Sequence, residues 1–461
     1  MRRLLPLWLV VALACGSAPA ETSSPDPSST TLTTSTTTPA STTLPVAASV
    51  EYTVADCDTP PVTFALLCDV YTLLAEHHVD TPLEPAALAA GAALGVEVYE
   101  AGEPGDPVES FVCAIPHETF QSVCDAISQR LRSGGDIGEM IDQAVTSMID
   151  FSLDPFTYYL PPELSGALTE EGIIVSVGLL LTIEDAAGSV CTIVSGACQL
   201  EVVLAQADGP AAVAGLLPDD RVTAIDGEPV EGLTLVEIAG RLDGPDGSAV
   251  EVEIERDESV ETRVIERHPP PVPQLVADQP IPGVGYIRLP DFGADIPQFV
   301  HETLAGWEDQ LEMLVLDLRD NPGGFVDVAT LVASEFLEDG TVLRSESPRG
   351  GLEYPVQEGG LATDGPRMAV LVNRGSASAA EIVAAVLQER GRASVVGEAT
   401  FGKDTVQIGF PLRNDGELRV TVAHWVTPEG ATVAIDGVTP DVAAEVPPDA
   451  PIDEVLEIVL G

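Results

Sequence analysis

The sequence predicts a multidomain α+β chain, and three changes of pattern carry that prediction. Apolar residues recur at helical spacing over 62–101 and 117–150; short β-rich runs take over from about 170 to 268; strand and helix patterns then alternate towards the C-terminus. With 461 residues and 45% hydrophobic content, the chain can bury a core in each of two to three domains.

Ahead of the helical segment, MRRLLPLWLVVALAC sets Arg2 and Arg3 before an apolar run of about eleven residues. That run is too short to span a bilayer, so residues 1–20 are expected to be a secretory signal. Two exits compete. Ala14-Cys15-Gly16 has the form of a lipoprotein processing site with Cys15 lipidated, and Ala18-Pro19-Ala20 fits ordinary cleavage. Residues 21–50 are almost wholly Ser, Thr, Pro and Ala and cannot bury enough apolar surface to fold, which predicts a disordered tether. A long polar stalk directly after Cys15 suits an enzyme lipid-anchored at the cell surface; ordinary cleavage would release it instead. The only membrane attachment expected is through that lipid.

With Cys15 set aside, the remaining cysteines fall into close couples: Cys57 with Cys68, Cys113 with Cys124, and Cys191 with Cys198. Oxidation rather than buried free thiols is the expected state in an exported protein, and among the fifteen connectivities that six cysteines allow the local spacing favours these pairings. No CxxC or HExxH spacing occurs, and His77 and His78 are expected on a helix surface, so neither a metal nor a cofactor is predicted. A net charge of −54 leaves no basic surface to release counterions from a polyanion and excludes nucleic-acid binding as the main activity.

The helical N-terminal region is assigned to 51–165. Phe64, Leu67, Val70, Tyr71 and Leu74 mark one face, and the proline-containing run SLDPFTYYLPPEL ends it. In the middle region, 166–270, strands are expected in IIVSVGLLLTI, LEVVLAQ, RVTAIDG and the strictly alternating AVEVEIER, with short helices at Ala211–Gly215 and Leu235–Leu242. The run GPAAVAGLLPDDRVTAIDGEPVEGLTLVEIAGRLDG resembles the PDZ domains of bacterial proteases. That resemblance implies capture of a peptide C-terminus as an added strand, with the backbone of Val177, Gly178 and Leu179 as the carboxylate loop. Ser176 stands where a glycine commonly precedes that loop, and Asp219 replaces a usual turn glycine.

After RHPPPVPQ, the C-terminal region 271–461 alternates strand GVGYIRL, a helix near 297–310, strand EMLVLDL, a DNPGG turn, a helix near 326–337 and strand MAVLVN. A helix over 378–390, SVVGE, DTVQIGF and ELRVTVAHWV follow. The pattern is that of an α/β layered domain with chemistry at the strand ends.

Within it, Asn373-Arg374-Gly375-Ser376-Ala377-Ser378-Ala379-Ala380-Glu381 sets serines between a strand and a helix start. Ser378 with Glu381 makes a capping box, which by itself accounts for both residues. The same position also suits a nucleophile, because helix N-terminal amides converge there on a developing oxyanion. The run Val315–Gly324 carries a strand into a tight turn whose two glycines allow close backbone approach, although an ordinary strand-to-helix turn looks the same. Asp317 reads as structural rather than as a triad acid, and none of the six histidines lies in a recognisable catalytic setting. TFGKDTVQ contains Lys403, the single lysine beside 19 arginines. An arginine stays protonated at any workable pH, whereas a desolvated lysine amine can accept a proton.

DLRDNPGG, GSASAAE and TFGKDTVQ, in that order, together with SLDPFTYYL and TPEGATVAIDGVTPDV, closely resemble the C-terminal processing peptidases, or tail-specific proteases. The resemblance covers about 140–445. It implies a layered catalytic core of the crotonase and Clp-protease type, with Ser378 as nucleophile, Lys403 as general base and Gln407 orienting the lysine. It further implies oxyanion-hole amides from Gly324 and Ala379, and protein or peptide substrates with exposed C-termini. Ala380 replaces a serine of the family pattern and Asp404 replaces the glycine after the lysine. A carboxylate beside Lys403 would favour the charged amine, unless its side chain points away. The competing readings are a non-catalytic PDZ scaffold with a degenerate core and a carrier of apolar ligands; retention of both Ser378 and Lys403 speaks against the first.

Overall fold

In a computed structural model, the described residues run from 49 to 460, apart from 55, 100–109, 132–134, 151–152, 163–167, 170–171, 176, 258, 272–274, 308–310, 435 and 448–449. Cys15, both candidate cleavage sites, nearly all of the tether and Ser176 lie outside them.

The N-terminal helices are Ala65–His77, Pro85–Val98, Gln121–Arg130 and Ile137–Asp150. Their apolar stripes meet in one core, in which Leu67, Val70, Leu74, Ala92, Met140 and Met148 are fully buried. Two features are absent from the helical pattern. Ser49–Val54 pairs in parallel with Ser110–Ile115. Tyr158–Leu160, inside the SLDPFTYYL stretch, leaves the segment to pair with Glu417–Arg419 of the C-terminal region. The helical core is completed by Leu412, Leu418 and Val420 from there. His78 is a correction. It caps the first helix, but it is completely buried rather than on the surface, with Nε2 2.9 Å from Asp154 Oδ2 and Nδ1 accepting the Asp80 N–H.

The three cysteine couples are disulfides: Cys57–Cys68, Cys113–Cys124 and Cys191–Cys198.

The middle region is an antiparallel sheet in the order Ser259–Glu266, Ala249–Arg256, Arg221–Ile225, Cys198–Ala205, Leu179–Asp185, with helix Leu235–Leu242 capped by a reciprocal Thr234/Glu237 box. The alternation in AVEVEIER appears directly, with Val250, Val252 and Ile254 buried. The run IIVSVGLLLTI is not one strand. Gly172–Val175 joins a small sheet with Gly244–Pro245 and Leu168–Thr169, while Leu179–Asp185 begins a second strand after Gly178 turns with φ of 75°.

The C-terminal region has a six-stranded sheet in the order Val276–Ile281, Val284–Arg288, Met313–Asp317, Arg367–Val372, Ser394–Gly397, Val442–Ala443, parallel after the first pair. Every residue of Met313–Asp317 is buried, as a central parallel strand requires. Helices Ile296–Gly306, Val326–Ser334 and Ala379–Glu389 contribute to one apolar cluster against it. A second, antiparallel sheet runs Leu352–Pro355, Thr341–Glu346, Glu417–Val426, Thr405–Pro411. Together these are the mixed α+β, multidomain layers the patterns predict. Among the described residues, no helix is long and apolar enough to cross a membrane.

Candidate active site

Two loops at the carboxyl ends of neighbouring parallel strands bring the DNPGG and serine motifs together, the usual location of chemistry in such sheets. After Met313–Asp317 the chain turns through 318–325. After Arg367–Val372 it turns through 373–378. Asp317 is completely buried, forked by Arg319 through Nε at 2.9 Å and Nη2 at 2.5 Å, and it accepts the Tyr286 hydroxyl at 2.6 Å. Arg319 continues to the Val446 carbonyl at 3.2 Å. This acid holds the turn.

The two serines of GSAS have different surroundings. Ser376 is fully buried, and its hydroxyl donates to the Leu318 carbonyl at 2.7 Å and accepts the Asn373 N–H at 3.0 Å. Ser378 is partly exposed and enters helix Ala379–Glu389 with φ of 53° and ψ of −113°, a conformation that costs an L residue roughly 1–3 kcal/mol and clusters at functional sites.

The turn glycines lie against this point. A Cβ on Gly323 would come within 2.8 Å of the Ala377 carbonyl oxygen, 2.9 Å of Ser378 Cβ and 3.1 Å of the Ala379 nitrogen. The Gly323 N–H is held by Asn321 Oδ1. Gly324 forms a parallel bridge with Phe292 whose bonds run from Phe292 N–H to Gly323 and from Phe325 N–H to Phe292, so that bridge leaves the Gly324 N–H aside. Ala379 is the first residue of its helix, where amides lack intrahelical acceptors.

Glu381 links this loop to the lysine loop. Its completely buried carboxylate accepts the Ser378 N–H at 2.7 Å, the Thr400 hydroxyl at 2.5 Å, the Gly402 N–H at 2.7 Å and the Lys403 N–H at 2.9 Å. Burial pushes this carboxyl above the usual range, and the four donors oppose that. Trp425 pins the same loop, with Nε1 donating to the Lys403 carbonyl at 3.1 Å and its backbone N–H to the Asp404 carbonyl at 2.8 Å.

The Lys403 amine lies 5.0 Å from the centre of the Phe156 ring. Burial lowers its pKa from the ordinary lysine value; Glu381 and Asp154 pull the other way, and Arg419 assists the lowering. Asp154 is a hub. It accepts from Thr157 Oγ1 at 2.6 Å, Thr421 Oγ1 at 2.8 Å and Phe156 N–H at 2.9 Å, besides its contact with His78. Burial alone would raise this carboxyl, but those bonds outweigh it and hold the pKa below the usual value. The Gln407 amide nitrogen donates to Thr405 Oγ1 at 2.6 Å, with Thr421 Oγ1 3.4 Å away. The Asp404 carboxylate faces His424 and Thr432.

In the middle region, Val177 is buried, with its carbonyl accepting the Ala211 N–H, and Gly178 accepts from Gln206. Leu179–Asp185 is the last strand of its sheet. Ser189–Cys191 folds back on its far end, which among the described residues leaves Leu179–Thr182 as the open edge. Asp219 holds φ of 68°, the left-handed conformation a glycine usually supplies and Asp tolerates.

From the sequence Glu381 reads only as a cap, and none of the expectations drawn from it covers the contacts of Asp154, Phe156 and His424 around the lysine loop. SLDPFTYYL was a visible signal for the first two; nothing local distinguishes His424.

A strained serine at a helix start, glycine-cleared amides beside it and a desolvated lysine on a second loop thus sit in one layered domain, accompanied here by a PDZ-type sheet. The model of peptidase family S41 matches residues 283–444, and a PDZ domain model matches 201–256. The chain is 36% identical over 313 residues to the carboxyl-terminal-processing protease of Synechocystis sp., covering 66% of this chain and 71% of that one. It is 32% identical over 325 residues to the carboxy-terminal-processing protease of Bartonella bacilliformis, covering 68% and 71%. In fold it resembles the photosystem II D1 C-terminal processing protease with a TM-score of 0.63, at 23% identity, over 87% of this chain and 96% of that one. The chain belongs to the carboxyl-terminal-processing proteases of peptidase family S41 and is a serine-type peptidase.

Proposed function

We propose that this chain is an exported endopeptidase that cuts proteins at or near their C-termini through a Ser378/Lys403 dyad. The observation that carries the reading is the Glu381 carboxylate, which receives the backbone N–H of both Ser378 and Lys403 and so ties nucleophile and base to one anchor. In the proposed reaction neutral Lys403 takes the Ser378 hydroxyl proton as the oxygen attacks a peptide carbonyl. The Gly324 and Ala379 N–H groups receive the oxyanion. The product amine leaves with the proton from Lys403; the lysine amine, neutral again, then deprotonates the water that hydrolyses the acyl-enzyme and returns that proton to the Ser378 oxygen. Gln407 orients the lysine in the substrate-bound state, for which its amide must turn from Thr405 and Thr421.

The open edge Leu179–Thr182, with the Val177–Leu179 loop at its start, suits addition of a substrate tail as a strand. Gating is supported by Arg374, four residues before Ser378, whose guanidinium reaches three carboxylates of the PDZ region: Glu184 at 2.6 Å and Glu201 at 3.9 Å in the sheet, and Asp219 at 3.5 Å in a turn. The charged start, the apolar run and Cys15 support export with a lipid anchor, and the disulfides suit an oxidising compartment.

Cleavage of an unfolded protein with an apolar C-terminus tests the assignment. Ser378→Ala and Lys403→Arg should each abolish it. Retained cleavage by Lys403→Arg would remove the lysine from the mechanism, and retained cleavage by Ser378→Ala would remove the serine.

A further inference from the structure

The loop that carries Lys403 places a carboxylate one residue away, where the family pattern has glycine. Asp404 is not free to reach the amine. Its Oδ1 lies 3.2 Å from His424 Nδ1, its Oδ2 accepts the Thr432 hydroxyl at 3.0 Å, and its carbonyl accepts the Trp425 N–H at 2.8 Å. The strand pairing explains how His424 arrives. His424 is the cross-strand partner of Thr405, the residue after Asp404, so it stands at the mouth of the lysine loop. Residues 401–404 precede the strand, so regular side-chain alternation does not by itself aim Asp404 away from Lys403.

We propose that His424 and Thr432 are positioning residues that hold the Asp404 carboxylate off the Lys403 amine, keeping that amine able to act as a base. The proposal rests on the dyad reading above and extends it to a pair of residues outside the dyad. Glu381 and Asp154 favour the charged amine of Lys403 and Arg419 opposes it. Asp404, Asp80 and Asp154 all favour the protonated form of His424. Its hydrogen bond to Asp404 leads in raising its pKa above the ordinary histidine value, against partial burial. The charge-assisted bond is therefore fully present below that ordinary value and weakens as pH rises through the raised one, while a neutral ring protonated at Nδ1 still donates.

The test is kcat/KM against pH for the full chain on an unfolded protein substrate, with melting curves to confirm folding. His424→Ala should free Asp404 and move the acidic limb up by about one pH unit, about a tenfold loss on the acid side. Asp404→Asn should leave the limb at or below its wild-type position, and adding His424→Ala to it should move the limb no further. His424→Gln, which keeps a donor, should restore most of the wild-type profile. Should His424→Ala fold poorly, Thr432→Val carries the same test, with a smaller shift in the same direction that Asp404→Asn cancels. A limb that His424→Ala leaves in place, or moves equally in the Asp404→Asn background, overturns the proposal. Lys403→Arg is run alongside. If it still cleaves, the base assignment falls and the proposal with it; if it is inactive while the limb stays put, only the role of His424 and Thr432 falls.

Discussion

A protonated amine at position 403 loses hydration on entering its pocket and gains the fields of Glu381 and Asp154; the loss is the larger effect, so the pKa falls. Two expectations follow at this scale. Lys403→Met keeps the stem and removes a charge that burial penalises, so it should abolish cleavage yet raise the melting temperature by about 2 °C. Asp154→Asn removes a charge that holds the amine protonated, and should move the acidic limb of kcat/KM to lower pH. It also weakens the bonds from His78, Thr157 and Thr421, at a cost of about 2–3 kcal/mol at neutral pH. Because the Asp154 pKa is depressed in the fold, its contribution is complete above the usual carboxylate value and disappears as pH falls through the depressed one. Denaturant melts of wild type and Asp154→Asn should therefore converge in acid and diverge near neutrality.

At the scale of elements, helix Ala379–Glu389 joins the loops through one side chain. Glu381→Gln replaces an acceptor-only carboxylate with an amide whose NH2 must face some of the same donors, in a completely buried site. Loss of about 2–4 kcal/mol and at least a hundredfold loss of kcat/KM are expected, measured by denaturant melts and cleavage of the same substrate. This element also shows what was legible beforehand. The 3.6-residue pattern and the Ser378/Glu381 spacing located the helix start, and the motif order singled out Ser378 and Lys403. Period-2 alternation likewise located AVEVEIER. The contacts of Glu381 with Thr400, Gly402 and Lys403 were not legible, because a capping box already explains the residue locally and its other partners lie across the chain. The burial of His78 was missed for the same reason: its partner Asp154 is supplied by a segment 76 residues away. Tyr158–Leu160 was hidden because three residues are too few for a period to register.

At the scale of the whole molecule, Arg374 ties the loop that carries Ser378 to the PDZ region through partly exposed charges, so the tie should yield to salt. If it transmits tail capture, the ratio of kcat/KM for a substrate with a free C-terminal carboxylate to that for its amidated counterpart should fall towards one in Arg374→Ala. Raising salt should lower the ratio in wild type and have little further effect in the variant; an unchanged ratio would separate Arg374 from gating. The pairing of Tyr158–Leu160 with Glu417–Arg419 has a consequence in time rather than in space. Lys403 takes Asp154 and Phe156 as neighbours from the N-terminal region, and Thr421 of the C-terminal region bonds that same Asp154 across 267 residues. Contacts so distant in sequence close late, after the loops between them have been ordered. On the proposed dyad, the amine acquires its environment only once residues near 421 have emerged and docked against 154–160, which would make proteolytic competence a late property of the maturing chain.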